Sequence, residues 1–150
     1  PYPVIRMAEM YLNLAEILIE LDALENTTGR LEEAKGLIDK IRVRAGIPTI
    51  DEAWKKANHP EKANTAEGLR EIVRRERQIE FYLENQRFWD LRRWKDGNVL
   101  AEPIMGMNIY NNNITLKYEI SKVEDRVFTG EHYYLPIPLS EQEKNPLLKE

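Results

Sequence analysis

Residues 69–95 constrain the fold more than any other part of the chain. Written on a helix, Leu69, Ile72, Val73 and Leu83 form an apolar stripe of period 3.6. Glu76, Glu80 and Arg87 fall inside that stripe, where leucine or isoleucine is expected. A charge on the buried side of a helix must be paired and hydrogen-bonded, because taking it out of water unpaired is very costly. The segment therefore predicts a helix whose buried side carries a structural network of Glu76, Glu80, Arg87 and Asp90. Arg74, Arg77 and Arg87, close by in sequence, are the expected ion-pair partners. Phe88, Trp89 and Trp94 should then close over the network as core anchors.

The rest of the chain reads mainly as helix. Residues 4–25 are apolar on more than one side: Arg6, Glu9, Asn13, Glu16 and Glu20 recur at three and four, and Met7, Met10, Tyr11, Leu14, Leu18 and Leu21 fill the remainder. So wide an apolar surface suggests two helical neighbours. Asn26-Thr27-Thr28-Gly29 breaks this helix and offers caps for the next. The second helix, 30–46, carries Leu31, Ala34, Ile38, Ile41 and Ala45 on one face and stops at Gly46 and Pro48. Residues 47–63 read as a loop with one helical turn near Asp51 to Ala57. Asn64-Thr65-Ala66-Glu67 makes a capping box for the third helix, which runs to about Asn85 and continues as a further piece to 95. We expect helices 4–25, 30–46 and 65–95 to pack as antiparallel neighbours. Across them should lie an irregular segment near 98–138, with loops and short strands, an extended run from Tyr133 to Pro138 and a last turn capped by Ser140. The first two helices resemble one tetratricopeptide unit loosely, without a second copy.

Composition excludes several classes. A chain of 150 residues fits one domain with one core. Its net charge of −4 argues against nucleic-acid binding, and the basic cluster at Arg74–Arg77 is interleaved with Glu71, Glu76 and Glu80. The absence of cysteine rules out disulfides, thiolate metal sites and a cysteine nucleophile. No apolar run reaches the length of a membrane span, and no signal peptide is visible. The start Pro1-Tyr2-Pro3 suggests a piece of a longer protein.

Chemistry-bearing motifs are few. Glu76, Glu80, Glu84 and Asp90 supply paired carboxylates, but carboxylates one turn apart beside arginines read as ion-pair partners, and catalysis needs converging geometry. No metal site is expected, since His59 and His132 stand alone. Phosphate loops, nucleophile elbows and HExxH are missing, and no cofactor is expected. The aromatics are more informative, because a flat ring stacks on the apolar face of a sugar. Trp54 sits in a loop beside Lys55, and Tyr110 beside Asn111, Asn112 and Asn113. Both rings can be ligand platforms or simple covers for the core edge. Tyr110 is the first candidate contact and Trp54 the second, with Asn111 and Asn112 supplying amides.

Four blocks in order carry a family resemblance. These are Ile5-Arg6-Met7-Ala8-Glu9-Met10-Tyr11-Leu12-Asn13-Leu14-Ala15-Glu16, then Ile41-Arg42-Val43-Arg44-Ala45-Gly46. Glu76-Arg77-Gln78-Ile79-Glu80-Phe81 with Glu84-Asn85-Gln86-Arg87-Phe88-Trp89-Asp90-Leu91-Arg92-Arg93-Trp94-Lys95 is the third, and Tyr134-Leu135-Pro136-Ile137-Pro138 with Asn145-Pro146 the last. Together they resemble the SusD/RagB family of outer-membrane nutrient-binding lipoproteins. The resemblance implies a C-terminal SusD-like helical domain over 1–150, taken from a longer chain. It also implies a non-catalytic cell-surface protein that captures oligosaccharide and delivers it to a TonB-dependent transporter. Such a protein touches the membrane only through an N-terminal lipid anchor, which is absent here. Asn85 stands where the family has glycine, and asparagine tolerates the left-handed backbone better than most residues. The rival reading is a helical scaffold that binds a protein partner in a groove.

Overall fold

The computed structural model describes residues 5–25, 29–108, 119–134, 136–145 and 147. It divides into two compact units, residues 1–87 and 88–150. The first holds helices α1 (Met7–Glu25), α2 (Arg30–Arg44), α3 (Ile50–Trp54) and α4 (Ala66–Glu80), with a 3-10 turn at Pro60–Asn64 before α4. Its core is built from one buried face of each long helix: Leu12, Ala15 and Ile19 on α1, Ala34, Ile38 and Ile41 on α2, and Leu69, Ile72 and Val73 on α4. Ile50 and Phe81 complete it.

Ion pairs report the helix directions. Arg6 meets Glu80 and Glu84, Arg77 donates to Asn13 Oδ1 at 2.6 Å, and Arg70 Nε donates to Glu20 Oε1 at 2.5 Å. Numbers rise along α1 as they fall along α4, so these helices are antiparallel. Between α2 and α4 the pairs are Arg42–Glu76 and Arg44–Glu80, rising together. Those two helices run parallel, each against α1. Glu76 and Glu80, the acids inside the apolar stripe, are thus answered by cations from outside α4. The network joins three helices instead of decorating one.

Helix ends depart from the sequence reading in instructive ways. α4 stops at Glu80, five residues earlier than expected, and Phe81 takes the C-cap with its N–H on the Arg77 carbonyl, while Tyr82 N–H bonds the Ile79 carbonyl. Phe81 is buried and closes the stripe. Leu83, which the period makes its last member, is 85% exposed with φ 65°. Asn85 has φ 61°, so the turn needs left-handed residues and asparagine supplies one. α2 begins at Gly29, whose φ of 97° and missing side chain make the start a backbone feature without a side-chain cap. It ends on a Schellman motif: Gly46 N–H bonds Val43 O and Ile47 N–H bonds Arg42 O, both at 3.0 Å. The cap of α4 is Thr65, whose hydroxyl accepts from Gly68 N–H at 3.1 Å, one residue later than the Asn64 box predicts. A side chain on Gly68 would place its Cβ 2.2 Å from the Lys62 carbonyl oxygen, so the 3-10 turn lies directly on α4.

Residues 88–150 hold most of α5 (Gln86–Arg93), α6 (Asn98–Ala101), a two-stranded antiparallel sheet of β1 (Ile104–Asn108) and β2 (Glu119–Glu124), a 3-10 turn at Gly130–Tyr133 and α7 (Leu139–Lys144). A register shift falls between Ile104 and Met105. Tyr133 organises this unit: its hydroxyl accepts from Gly97 N–H at 2.8 Å, and its carbonyl accepts from Arg92 Nη2 at 2.7 Å. The 3-10 turn reaches Tyr133, the first residue of the run expected to be extended; Tyr134 is extended, and Leu135 lies outside the described residues. Pro138 caps α7 and Ser140 lies inside it. Helical spacing puts Trp89 in the core, yet it is 52% exposed. It packs edge-on against Phe88, and the buried Arg92 guanidinium lies 5.0 Å from its ring centre. Cation–π contact thus stands where the spacing predicts apolar enclosure. Trp94 is half-buried beside the Arg93 guanidinium.

Glu76 is 9% exposed and paired with Arg42. Replacing it with alanine leaves a mostly buried guanidinium without its carboxylate and should cost roughly 3–5 kcal/mol. Urea unfolding of Glu76→Ala measures this. Loss below about 1 kcal/mol would class the pair with exposed surface bridges.

Candidate functional site

The only sequence-nominated platform that the described residues include is Trp54; Tyr110, Asn111 and Asn112 lie outside them. Trp54 is the last residue of α3, a five-residue helix that could not persist alone. Three contacts fix it. Thr49 and Glu52 form a reciprocal capping box, with Thr49 N–H on Glu52 Oε2 at 3.2 Å. Asp39 of α2 accepts from Ile50 N–H at 2.8 Å, and the Ile50 side chain is fully buried. Arg42 Nε donates to Pro48 O at 2.7 Å while the same guanidinium holds Glu76. Loop and α3 are thereby tied to both parallel helices. Burial pushes the Asp39 carboxyl up, against the Ile50 hydrogen bond that favours its charged form.

Trp54 packs half-buried on the core edge and walls two clefts. One, of about 320 Å³, lies between α3 and α4 and is lined by Arg42, Glu71, Ile72, Arg75 and Glu76. The other, of about 430 Å³, faces α2 and the 3-10 turn, with Glu32, Lys35, Asp51, Lys55 and Asn64 around it. Such volumes suit small polar ligands. Lys35 is 4% exposed. Its ammonium reaches Glu32 Oε1 at 2.5 Å, Asp51 Oδ1 at 3.1 Å and Asn64 Oδ1 at 3.4 Å. Burial works against its charge, but the two carboxylates outweigh that and hold it protonated above its ordinary value. All three of its donors are spent on the cleft wall.

Lys35 is the residue the sequence reading misses. It sits between Ala34 and Ile38 on the apolar face of α2, four residues after Leu31. The test that singles out Glu76, a charge within an apolar stripe, identifies it equally well.

The remaining nominated residues divide between the units. Glu76 and Glu80 lie on α4 within the first, with Arg42 on one and Arg6 and Arg44 on the other. Arg87 is half-buried, less enclosed than its stripe position predicts. Asp90, in the second unit, is buried and accepts from Arg93 Nε at 2.9 Å. Among the described residues no cluster of three His, Asp or Glu side chains is placed to hold a metal ion.

Comparison with known proteins points to one family. The model of the SusD family fits residues 1–150. A crystal structure of a SusD-like protein from Bacteroides fragilis is 33% identical, with a TM-score of 0.69, over 95% of this chain and 24% of that one. The chain therefore spans about a quarter of the length of that relative. No curated protein matches it.

The carboxylates that join the helices set the acid limit of the fold. Arg70 holds Glu20 below the usual carboxylate range by its hydrogen bond. At Glu80 burial pushes the carboxyl up, but hydrogen bonds from Arg44 and Arg6 outweigh it and leave it low. A carboxylate depressed in the folded state contributes its full stability above the ordinary value of 4.5, and loses it as pH falls through the folded value. The urea midpoint should stay level down to about pH 5 and decline below it, and Glu80→Gln should flatten that decline. An identical acid limb in wild type and variant would remove Glu80 from the account.

Proposed function

Since this chain belongs to the SusD family, we propose that it is the C-terminal part, residues 1–150, of a non-catalytic cell-surface protein that captures a glycan. The protein delivers the captured oligosaccharide to a TonB-dependent transporter of the outer membrane. Among the described residues no helix is long and apolar enough to cross a membrane. In this reading the contact with the membrane is an N-terminal lipid anchor borne by the longer protein. The observation that carries the glycan reading is the Trp54 ring between two clefts rich in carboxylate, amide and ammonium groups. Sugars present an apolar ring face together with many hydroxyls, and this combination of groups meets both. Tyr110, with Asn111 and Asn112, is the second contact we propose.

The engagement of the α4 carboxylates supports the reading of binding without hydrolysis. A glycosidase needs one carboxyl held protonated as general acid and a second facing it. Glu80 is pulled the other way by Arg6 and Arg44, and Glu76 is occupied by Arg42. Both carboxylates are engaged by arginines of the fold.

A second reading, a scaffold for a protein partner, draws on α1. Met7, Met10, Leu14, Ile17 and Leu24 are exposed along it at spacings of three, four, three and seven. That is the seam of a helix-packing face.

Incubating the full-length protein with starch, xylan, mannan and host-type glycans should give retention on at least one polysaccharide and no new reducing ends. Reducing ends that vanish in Glu80→Gln would replace the binding reading with a hydrolase. Retention on none of them would favour the scaffold.

A further inference from the structure

The acids around Trp54 are already matched. Glu76 is paired with Arg42, Glu71 with Lys62, and Glu32 and Asp51 with the buried Lys35. Two cations lining the clefts have no such acid among the described residues. Arg75, on the α4 side, is exposed and makes one hydrogen bond of 3.3 Å, to the neutral Gln78 Oε1. Lys55, next in sequence to Trp54, is exposed on the other side. Each cleft wall carries two acids and two cations, so in a chain of net charge −4 the ring sits in a locally balanced patch, flanked by two exposed cations that take no part in its ion pairs.

A guanidinium offers a planar fork of donors that matches a carboxylate or a sulfate. An ammonium takes the same anions as a point charge. We propose that Trp54, Arg75 and Lys55 form a site for an acidic oligosaccharide, with a sugar ring on Trp54 and its anionic groups on the two cations. This rests on the glycan-capture reading above and adds the charge class of the ligand. The paired acids have a role in the arrangement: Glu76 and Glu71 each hold a cation, and Glu32 and Asp51 share Lys35, which tempers their repulsion of the ligand's charge. The Asn64 amide remains to donate to the uncharged hydroxyls, and Asp51 to accept from them.

The test is titration calorimetry on the full-length protein with three probes: an oligogalacturonate hexamer, a chondroitin sulfate hexasaccharide and maltohexaose. The first two separate carboxylate from sulfate as the anion, and binding of either supports the site. The informative variant is the surface pair Arg75→Gln with Lys55→Gln, which leaves the Trp54 packing intact. It should weaken the acidic hexasaccharide roughly tenfold to a hundredfold, as expected for lost charge-assisted hydrogen bonds. The salt dependence of binding should fall in the same variant. Acidic hexasaccharide bound equally well by wild type and variant overturns the site. Maltohexaose bound in preference, and equally by both proteins, overturns the acidic assignment while glycan capture stands. Binding of none of the three removes the acidic site, and glycan capture is then decided by the polysaccharide panel above.

Discussion

Five arginine–carboxylate pairs hold the three long helices in register. Arg6, Arg42, Arg44, Arg70 and Arg77 meet Glu80, Glu76, Glu20 and Glu16 across helix interfaces, at the margin of an apolar core of ordinary size. Apolar packing alone does not choose between helix registers one turn apart, because leucine and isoleucine accept many neighbours. A charge on the same face does choose: sliding α4 by one turn would strand Glu76 and Arg42 in a dry environment. The network therefore acts as a key for alignment, and a hydrophobic substitute of equal volume could match its energy without matching its specificity.

The same logic explains what is legible in the sequence. Charges inside a helical stripe are conspicuous, so Glu76 and Glu80 are recognisable from residue order and helical period alone. Their partners are not, since Arg42 and Arg44 are more than thirty positions away and look like an ordinary basic end of α2. Helix existence is legible from period, and the three long helices lie where the pattern puts them. Helix ends are less legible: Leu83 fits the period, but the chain has already left the helix at Phe81. Trp89 escapes the pattern because spacing reports which residues share a face and not what covers that face. At the candidate site, Trp54 is recognisable as a loop aromatic and Lys35 as a charge in the apolar stripe of α2, whereas the partners of Lys35 and the two clefts depend on how α2, α3 and the 3-10 turn meet.

A division of labour among cations follows. Arg42 and Lys35 are enclosed and fully engaged, and they build the walls on either side of Trp54. Arg75 and Lys55 are exposed and lightly engaged. Residues of one charge thus serve as masonry in one ring of contacts and as open valence in the next. Substitutions in the inner set remove contacts that hold the fold, whereas those in the outer set leave those contacts in place.

Gly68 has a geometric consequence for this cleft. With no space for even a methyl group between α4 and the Lys62 carbonyl, the turn bearing Asn64 is seated on the helix as a fixed jaw. The opposite jaw is the short α3, held by a capping box, the Asp39 bond to Ile50 N–H, the Lys35–Asp51 pair, the buried Ile50 side chain and the Arg42 bond to Pro48 O before it. The width of the cleft is therefore set by two anchored walls, the turn seated on α4 and α3 seated on α2. Thr49, Glu52 and Asp39 thus shape the aperture at a distance, through the backbone of α3.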